Sequence, residues 1–441
     1  MKCVVAAALP AAMLTAIAPA VKAQPSTPAT PVVGSPVLPE RAGPTAPTAG
    51  MLRGTPRTGP LPSRLSLVQA LDEAFARSPA VIAAEAEVRA AEARARQAGY
   101  RQNPELSVQV ENFAGTGQLR GVRSVQTTVA INQRLDLGGR RSARVAAAIA
   151  EIDLQRLRLA VAHADVAQSV RQAFARAIAA RERRAQADEN VALTKELARV
   201  AGVLVDAGRE PPLRAIRARS ALAQAQAQQE AARAEELATR TTLASLLGSN
   251  SPIEAVVGSA VDLKPSNINL DRSLVVRVAA AEVAAARAAL QEQLAAARLD
   301  PAVGVGVRNI RETGDVGLVA GLSMPLPVFN RNRGNIESAR AVIAAAEARQ
   351  RAALVGVTSQ GRNAIAAVEA ARRRVAALRE AALPEAREGL RLTQMSYAEG
   401  RATLVELLDA QNAYLATQAS LTEAELALAV ATAELGRIAA Q

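Results

Sequence analysis

Tyr397-Ala398-Glu399-Gly400-Arg401-Ala402-Thr403-Leu404-Val405-Glu406-Leu407-Leu408-Asp409-Ala410-Gln411-Asn412-Ala413-Tyr414 reads as a very long helix that stops, turns at a glycine and starts back. Gly400 supplies the permissive backbone for the turn, Thr403 stands as N-cap, and Glu406 three residues on completes the capping-box spacing. In the helix that follows, Leu404, Leu407, Leu408, Tyr414 and Leu415 share one face with the polar Gln411 among them. Glu406 and Asp409 fall on the opposite face. The stretch is the tip of a helical hairpin, with two carboxylates pointing away from its packed seam.

The same tip occurs earlier. Gly208-Arg209 and Ala218-Arg219-Ser220-Ala221-Leu222 align with Gly400-Arg401 and Ala410-Gln411-Asn412-Ala413-Tyr414 at one constant offset, so the chain reads as a tandem duplication of a large unit. At that offset Arg214 and Arg217 occupy the places of Glu406 and Asp409. One tip is basic where the other is acidic.

Working outward from the tips, the periodicity gives each repeat one order of elements. Ser66 caps a helix with Leu67, Ala70, Leu71 and Ala74 on one face; Pro79 restarts it, and it runs to about Tyr100. Leu106, Val108 and Val110 then alternate with polar residues, as do Val125, Thr127, Val129 and Ile131 after a Gly-rich turn, giving a β-hairpin with one apolar and one polar face. From Arg140 to about Val205 no proline or turn cluster intervenes, which predicts a helix of about 66 residues and roughly 100 Å. Gly208 and Pro211-Pro212 turn the chain, and a return helix runs from about Leu213 to Leu247. The second unit repeats this: a helix from about Asp271 to Arg298, strands around Val303–Val307 and Val316–Leu322, and a long helix from about Gly334 to Tyr397 with a kink expected at Pro384. Residues 63–250 form repeat 1 (hairpin about 104–135, tip about 206–212). Residues 271–441 form repeat 2 (hairpin about 301–327, tip about 397–403), with 251–270 as connector. The fold class is mainly α with a small β component.

The 441 residues are 50% hydrophobic but only 2% aromatic, with no Trp. That suits long, closely packed, alanine-rich helices better than a thick globular core. The formal net charge of +12 admits nucleic acid, anionic lipid or an acidic protein as partner. Arginines scattered among Ala and Glu along helices, without interleaved aromatics or a base-reading motif, fit solvated helix faces and argue against nucleic acid. Met1-Lys2, the apolar run Cys3–Ala20 and Val21-Lys22-Ala23 read as a secretory signal peptide over 1–23. Residues 24–62, dense in Pro, Thr, Gly and Ala, read as a disordered leader. The single cysteine, Cys3, lies in the signal segment, and a chain with one His and 5 Met offers no soft-metal site. His163 stands mid-helix without neighbouring ligands at metal spacing. No nucleophile elbow, phosphate loop or zinc-protease motif is present, so neither catalysis nor a cofactor is expected.

Four strands from one chain cannot close a membrane barrel, so strands with this alternation require oligomerisation if they cross an outer membrane. From about Ser63 onward the chain resembles the outer membrane efflux proteins of the TolC-like outer membrane factor family. The resemblance is carried by Leu65-Ser66-Leu67-Val68-Gln69-Ala70-Leu71, Asp136-Leu137-Gly138-Gly139-Arg140-Arg141, Pro325-Leu326-Pro327-Val328-Phe329-Asn330-Arg331-Asn332-Arg333-Gly334, Tyr397-Ala398-Glu399-Gly400 and Leu408-Asp409-Ala410. The proline and asparagine-arginine-glycine stretch is most similar to the CzcC-like branch, which serves heavy-metal cation exporters of the resistance-nodulation-division type. The resemblance implies a homotrimer with a 12-stranded barrel in the outer membrane and a long α-barrel crossing the periplasm. That assembly is the exit duct of a tripartite pump, with a periplasmic adaptor (membrane fusion protein) and an inner-membrane pump as partners. It implies a gate ring at Glu406 and Asp409, with Arg214 and Arg217 as possible partners, and tip turns at Gly208, Arg209, Tyr397, Gly400 and Arg401 that dock the adaptor. The alternative is that Glu406 is only a helix cap and Asp409 only a solvated residue. A duct for multidrug efflux or type I protein secretion, and a soluble periplasmic adaptor, stand as alternatives.

Overall fold

The computed structural model describes residues 59–250, 253–258 and 269–441. The signal peptide expected over 1–23, most of the leader and parts of the connector lie outside the described residues. Ser66 caps α1 (Leu67–Arg77) in a reciprocal capping box with Gln69, and Pro79 opens α2 (Pro79–Gly99). The first hairpin is β2 (Glu105–Glu111) and β3 (Gln126–Arg134). The first long helix, α3 (Arg140–Asp206), has 67 residues and so spans about 100 Å. Its return partner is α4 (Pro212–Leu246). The second unit runs through α5 (Leu274–Ala296), β5 (Ala302–Ile310) and β6 (Asp315–Ser323) to α6 (Arg333–Ala377), α7 (Leu383–Ala398) and α8 (Leu404–Ile438).

The expected kink takes a specific form. Leu378–Ala382 is a single π-helical turn between α6 and α7. Pro384 lacks an N–H and its ring crowds the carbonyl four residues back, that of Glu380, which lies inside the π turn. Widening that turn accommodates the proline while the chain stays helical.

Two short strands escape the periodicity. β1 (Arg64–Leu65) pairs in parallel with β4 (Ala255–Val256), Leu65 opposite Val256. Leu65, Ile253 and Val256 are buried in one core with Val170, Phe174, Ile178, Leu243 and Leu247, and Leu61 packs against it. The connector is therefore structural where it is described, and the expected disordered leader stops short of 59–62: the Gly59 carbonyl accepts a hydrogen bond from Arg77. Full burial of a side chain such as Phe174 contributes about 2–3 kcal/mol, so this belt fastens the middle of α3 to α4 and α8.

The two hairpins join in one antiparallel sheet of order β2-β3-β5-β6. Register aligns the faces across all four strands. Leu106, Ile131, Val305 and Ala320 form one cross-sheet row, and Val108, Val129, Val307 and Leu318 the next. Every member of the second row is exposed on the protomer, Leu318 by 90%. The opposite face carries Gln109, Thr128, Arg308 and Gly317, and beside them Ser107, Ala130, Gly306 and Val319. A Cβ at Gly306 would lie 2.5 Å from the Val129 carbonyl, so this position must be glycine for β5 to approach β3 as it does. Among the described residues no helix is long and apolar enough to cross a membrane. The extended apolar surface belongs to the sheet.

The stretches that leave the hairpins are tied to the helices around them, the first of them across the two repeats. Arg140, at the start of α3, pairs with the buried Asp300 before β5 at 3.1 Å. Asn332, the N-cap of α6, adopts a left-handed conformation (φ 58°), which asparagine tolerates, and its side-chain amide donates to the Gln293 carbonyl at 2.8 Å. The glycine and asparagine-rich motifs thus serve the change from strand to helix.

Candidate gate at the helical tips

Both tips close by the same hydrogen bonds. Gly208 has φ 69° and Gly400 φ 73°. Gly208 N–H donates to the Val205 carbonyl at 2.9 Å and Arg209 N–H to Leu204 at 2.9 Å; Gly400 donates to Tyr397 at 3.0 Å and Arg401 to Ser396 at 2.8 Å. Each glycine lets the backbone turn left-handed while the last carbonyls of the helix find donors, the Schellman arrangement. The restarts differ. Pro211 and Pro212 open α4 without a side-chain cap, whereas Thr403 and Glu406 form a complete capping box at α8.

Glu406 is held by that box: its Oε2 accepts from Thr403 N at 2.6 Å and from Thr403 Oγ1 at 2.9 Å, while Glu406 N donates back to the threonine hydroxyl at 3.3 Å. The backbone hydrogen bond from Thr403 and then its side-chain bond hold the carboxyl below the usual carboxylate range. It remains anionic and exposed at neutral pH. Asp409 is exposed on the same side of the helix, three residues on.

The arginines do not meet these carboxylates within a protomer. Arg214 is ion-paired with Glu210 of its own tip, and Arg217 is exposed. The cross-tip pairing expected from sequence is therefore absent among the described residues, because Glu210, four residues before Arg214, offers a nearer carboxylate. Arg209 and Gly208 are exposed, as are Gly400 and Arg401, and Arg401 pairs with Glu399. Tyr397 is the exception in the expected docking set. Its ring is buried with Leu197, Leu390, Leu404, Leu407 and Tyr414, so it supports the tip from inside. Burial pushes its hydroxyl's pKa up, Glu210 adds to the rise and Arg214 opposes it, and the hydroxyl has no hydrogen-bond partner.

Above the tip a polar seam joins α3 to α8. Gln411 is buried and donates to Asn190 Oδ1 at 2.9 Å; the Tyr414 hydroxyl donates to Glu189 at 3.3 Å and accepts from Gln418 at 2.6 Å; Gln186 donates to Thr422 at 2.8 Å. Sequence marked Gln411 as the polar member of an apolar face but gave no sign of its partners, which lie more than two hundred residues away. His163 stacks edge-on against Phe75 at 5.1 Å, and burial lowers its pKa despite the opposing charge of Glu85. Among the described residues no group of three acidic, His or Cys side chains could hold a metal ion.

The family model described as outer membrane efflux protein matches residues 70–249 and 267–441, that is, both repeats. The chain belongs to the outer membrane efflux protein family. Among curated relatives of this efflux protein, the nickel-cobalt-cadmium resistance protein NccC of Alcaligenes xylosoxydans xylosoxydans is 32% identical over 306 residues, 68% of this chain and 69% of the relative. The cobalt-zinc-cadmium resistance protein CzcC of Cupriavidus metallidurans is 28% identical over 358 residues, 79% of this chain and 83% of its own. Two solved folds agree. The outer membrane protein VceC of Vibrio cholerae superposes with a TM-score of 0.70 at 19% identity, covering 85% of this chain and 96% of VceC. CusC, described in connection with transmembrane channel formation, gives 0.71 at 17% identity, covering 85% and 92%. The efflux protein therefore has the TolC-like fold that its resemblance to the family implied.

Proposed function

We propose that this efflux protein is the outer-membrane exit duct of a tripartite pump for heavy-metal cations. The observation that carries the reading is the sheet: four strands in register present one continuous apolar face and an opposite polar face, with both edges, β2 and β6, unpaired among the described residues. Three copies joined edge to edge give a closed 12-stranded barrel, lipid outside and water inside, and closure removes the open edges. The long helices then continue the duct through the periplasm, after export by the signal peptide. The exposed tip residues Gly208, Arg209, Gly400 and Arg401 meet the periplasmic adaptor, which links the duct to an inner-membrane pump of the resistance-nodulation-division type. Three copies of Glu406 and Asp409 form an acidic ring at the entrance that favours cations. Arg217, exposed in the protomer, is the tip arginine left to pair with the carboxylates of a neighbouring protomer in the closed state, since Arg214 is held by Glu210.

The metal cargo is supported by the nickel, cobalt, cadmium and zinc resistance proteins among the relatives. Deleting the gene is expected to sensitise cells to such cations, and the mature protein is expected to form heat-modifiable trimers in outer-membrane fractions and conduct in planar bilayers. Glu406→Gln with Asp409→Asn is expected to lower cation selectivity. A detergent-free soluble monomer would overturn the duct in favour of an adaptor. Sensitisation to organic drugs alone, or loss of a secreted protein, would move the cargo to the other two duct readings.

A further inference from the structure

On the polar face of the sheet, the paired positions carry five charges: Glu105, Glu111 and Asp315 against Arg134 and Arg308. Arg134 sits at the end nearest the helices. Arg308 sits toward the far end, and its guanidinium is laid along the wall with every nitrogen engaged. Nε donates to Thr128 Oγ1 at 3.0 Å, Nη1 to Gln126 Oε1 at 3.4 Å, and Nη2 lies 3.7 Å from Glu111 Oε2. Glu111 is itself oriented by Gln109, whose amide donates to Oε1 at 2.9 Å. The arrangement spans three strands and brings together residues nearly two hundred positions apart.

On the β6 side Arg308 meets no side chain from its register partner. Its register partner on β6 is Gly317, where an added Cβ would meet nothing within 4 Å. The one charged group drawing the guanidinium toward β2 is Glu111. The side chains of Arg308 and Glu111 are 35% and 37% exposed, so as a contribution to stability the pair is worth little. Its consequence is electrostatic: it decides whether a water-filled bore sees a cation or a neutralised wall.

We propose that Arg308 and Glu111 form a charge clamp that sets ion preference at the outer end of the duct; this rests on the duct reading above. Threefold repetition makes a ring of three arginines, each neutralised by a glutamate, so that cations arriving from the entrance meet no net positive barrier before release. Without Glu111 the three guanidinium groups lose the carboxylates they contact, and the potential at this level of the bore shifts positive, against cations.

The test is reversal potential in asymmetric KCl across planar bilayers holding the mature trimer, with its heat-modifiable band checked for every variant. Glu111→Gln is expected to lower the cation-to-anion permeability ratio by about threefold, as screened Coulomb repulsion from three charges predicts. Arg308→Gln is expected to raise the ratio, and the double variant to return close to the parent. If Glu111→Gln assembles with the parental ratio, or if both single variants shift it in the same direction, the clamp is refuted. Loss of the trimer in Glu111→Gln would also overturn it, since the pair would then be a structural tie. A parent trimer that gives no conductance sinks the duct reading and the clamp together, whereas a conducting parent with unresponsive variants sinks the clamp alone.

Discussion

Glu406 holds two roles that chemistry can separate. As part of the capping box it accepts the Thr403 N–H and hydroxyl; as an exposed anion it faces whatever lies at the tip. Glutamine can fill the same box without charge, because its carbonyl oxygen accepts the same bonds. Glu406→Gln keeps the box but loses the charge-assisted part of it, so it is expected to lower amide-exchange protection in the first turn of α8 by less than Thr403→Ala, which lowers it by about 1 kcal/mol of local stability. The pH dependence has a fixed sign. The folded pKa of Glu406 is depressed, so its contribution is present above the unfolded carboxylate pKa and is lost as pH falls through the folded value. Fraying of the tip on acidification, followed by exchange, is expected in the parent below the ordinary carboxylate range and not in Glu406→Gln. At Tyr397 the reverse logic holds. Its buried hydroxyl has no partner, so Tyr397→Phe removes an uncompensated polar group and keeps the packed ring. Thermal melting in detergent is expected to be unchanged or slightly raised for that variant, and clearly lowered for Tyr397→Ala, which leaves a cavity costing about 3 kcal/mol or more.

Between elements, the seam of α3 and α8 makes the strongest demand. Gln411 is buried and donates to the half-buried Asn190, so changing either one strips the other of its partner at a largely desolvated seam. Gln411→Leu is expected to destabilise by about 1–3 kcal/mol, and Asn190→Leu in the same chain to recover part of it, a double-mutant cycle read by denaturant unfolding. Additive single losses would mean that the amides do not depend on each other. This seam also shows where sequence reading stops. The local instructions were plain: Ser66 as a cap, Thr403 with Glu406, and glycines at 208 and 400 each act within a few residues, and all appear as expected. The partner of Gln411 was hidden because nothing local encodes a contact across more than two hundred residues. β1 and β4 were hidden because two residues are too few to show a period, and the π turn because its cause, Pro384, is visible while its form depends on how the neighbouring turn relaxes. The pairing of Arg214 with Glu210 is itself local, one helical turn apart, and competes directly with the partner that the repeat offset suggests at the other tip.

For the whole molecule, duplication explains how one chain makes both a sheet and a bundle. The hairpins meet through β3 and β5, and the helices that follow them carry the same order of turns. The alternation that sequence showed in separate strands becomes, through register, a face shared by all four. If that face meets lipid, adjacent residues of one strand must respond oppositely to the same substitution. Leu318 lies near the middle of β6 in the row with Val108, Val129 and Val307, and is 90% exposed on the protomer; Val319 points to the polar side opposite Gly306. Leu318→Arg places a guanidinium in hydrocarbon, a cost of about 2–4 kcal/mol per strand near the bilayer midplane. That cost is repeated in each protomer of a trimer. Val319→Arg places the same group in a water-filled bore, where it alters conductance but not insertion. The heat-modifiable trimer band in outer-membrane fractions is expected to be strongly depleted for Leu318→Arg and retained for Val319→Arg. Equal tolerance of both would mean that the apolar face is covered by protein instead of lipid, and the barrel reading would fall with it.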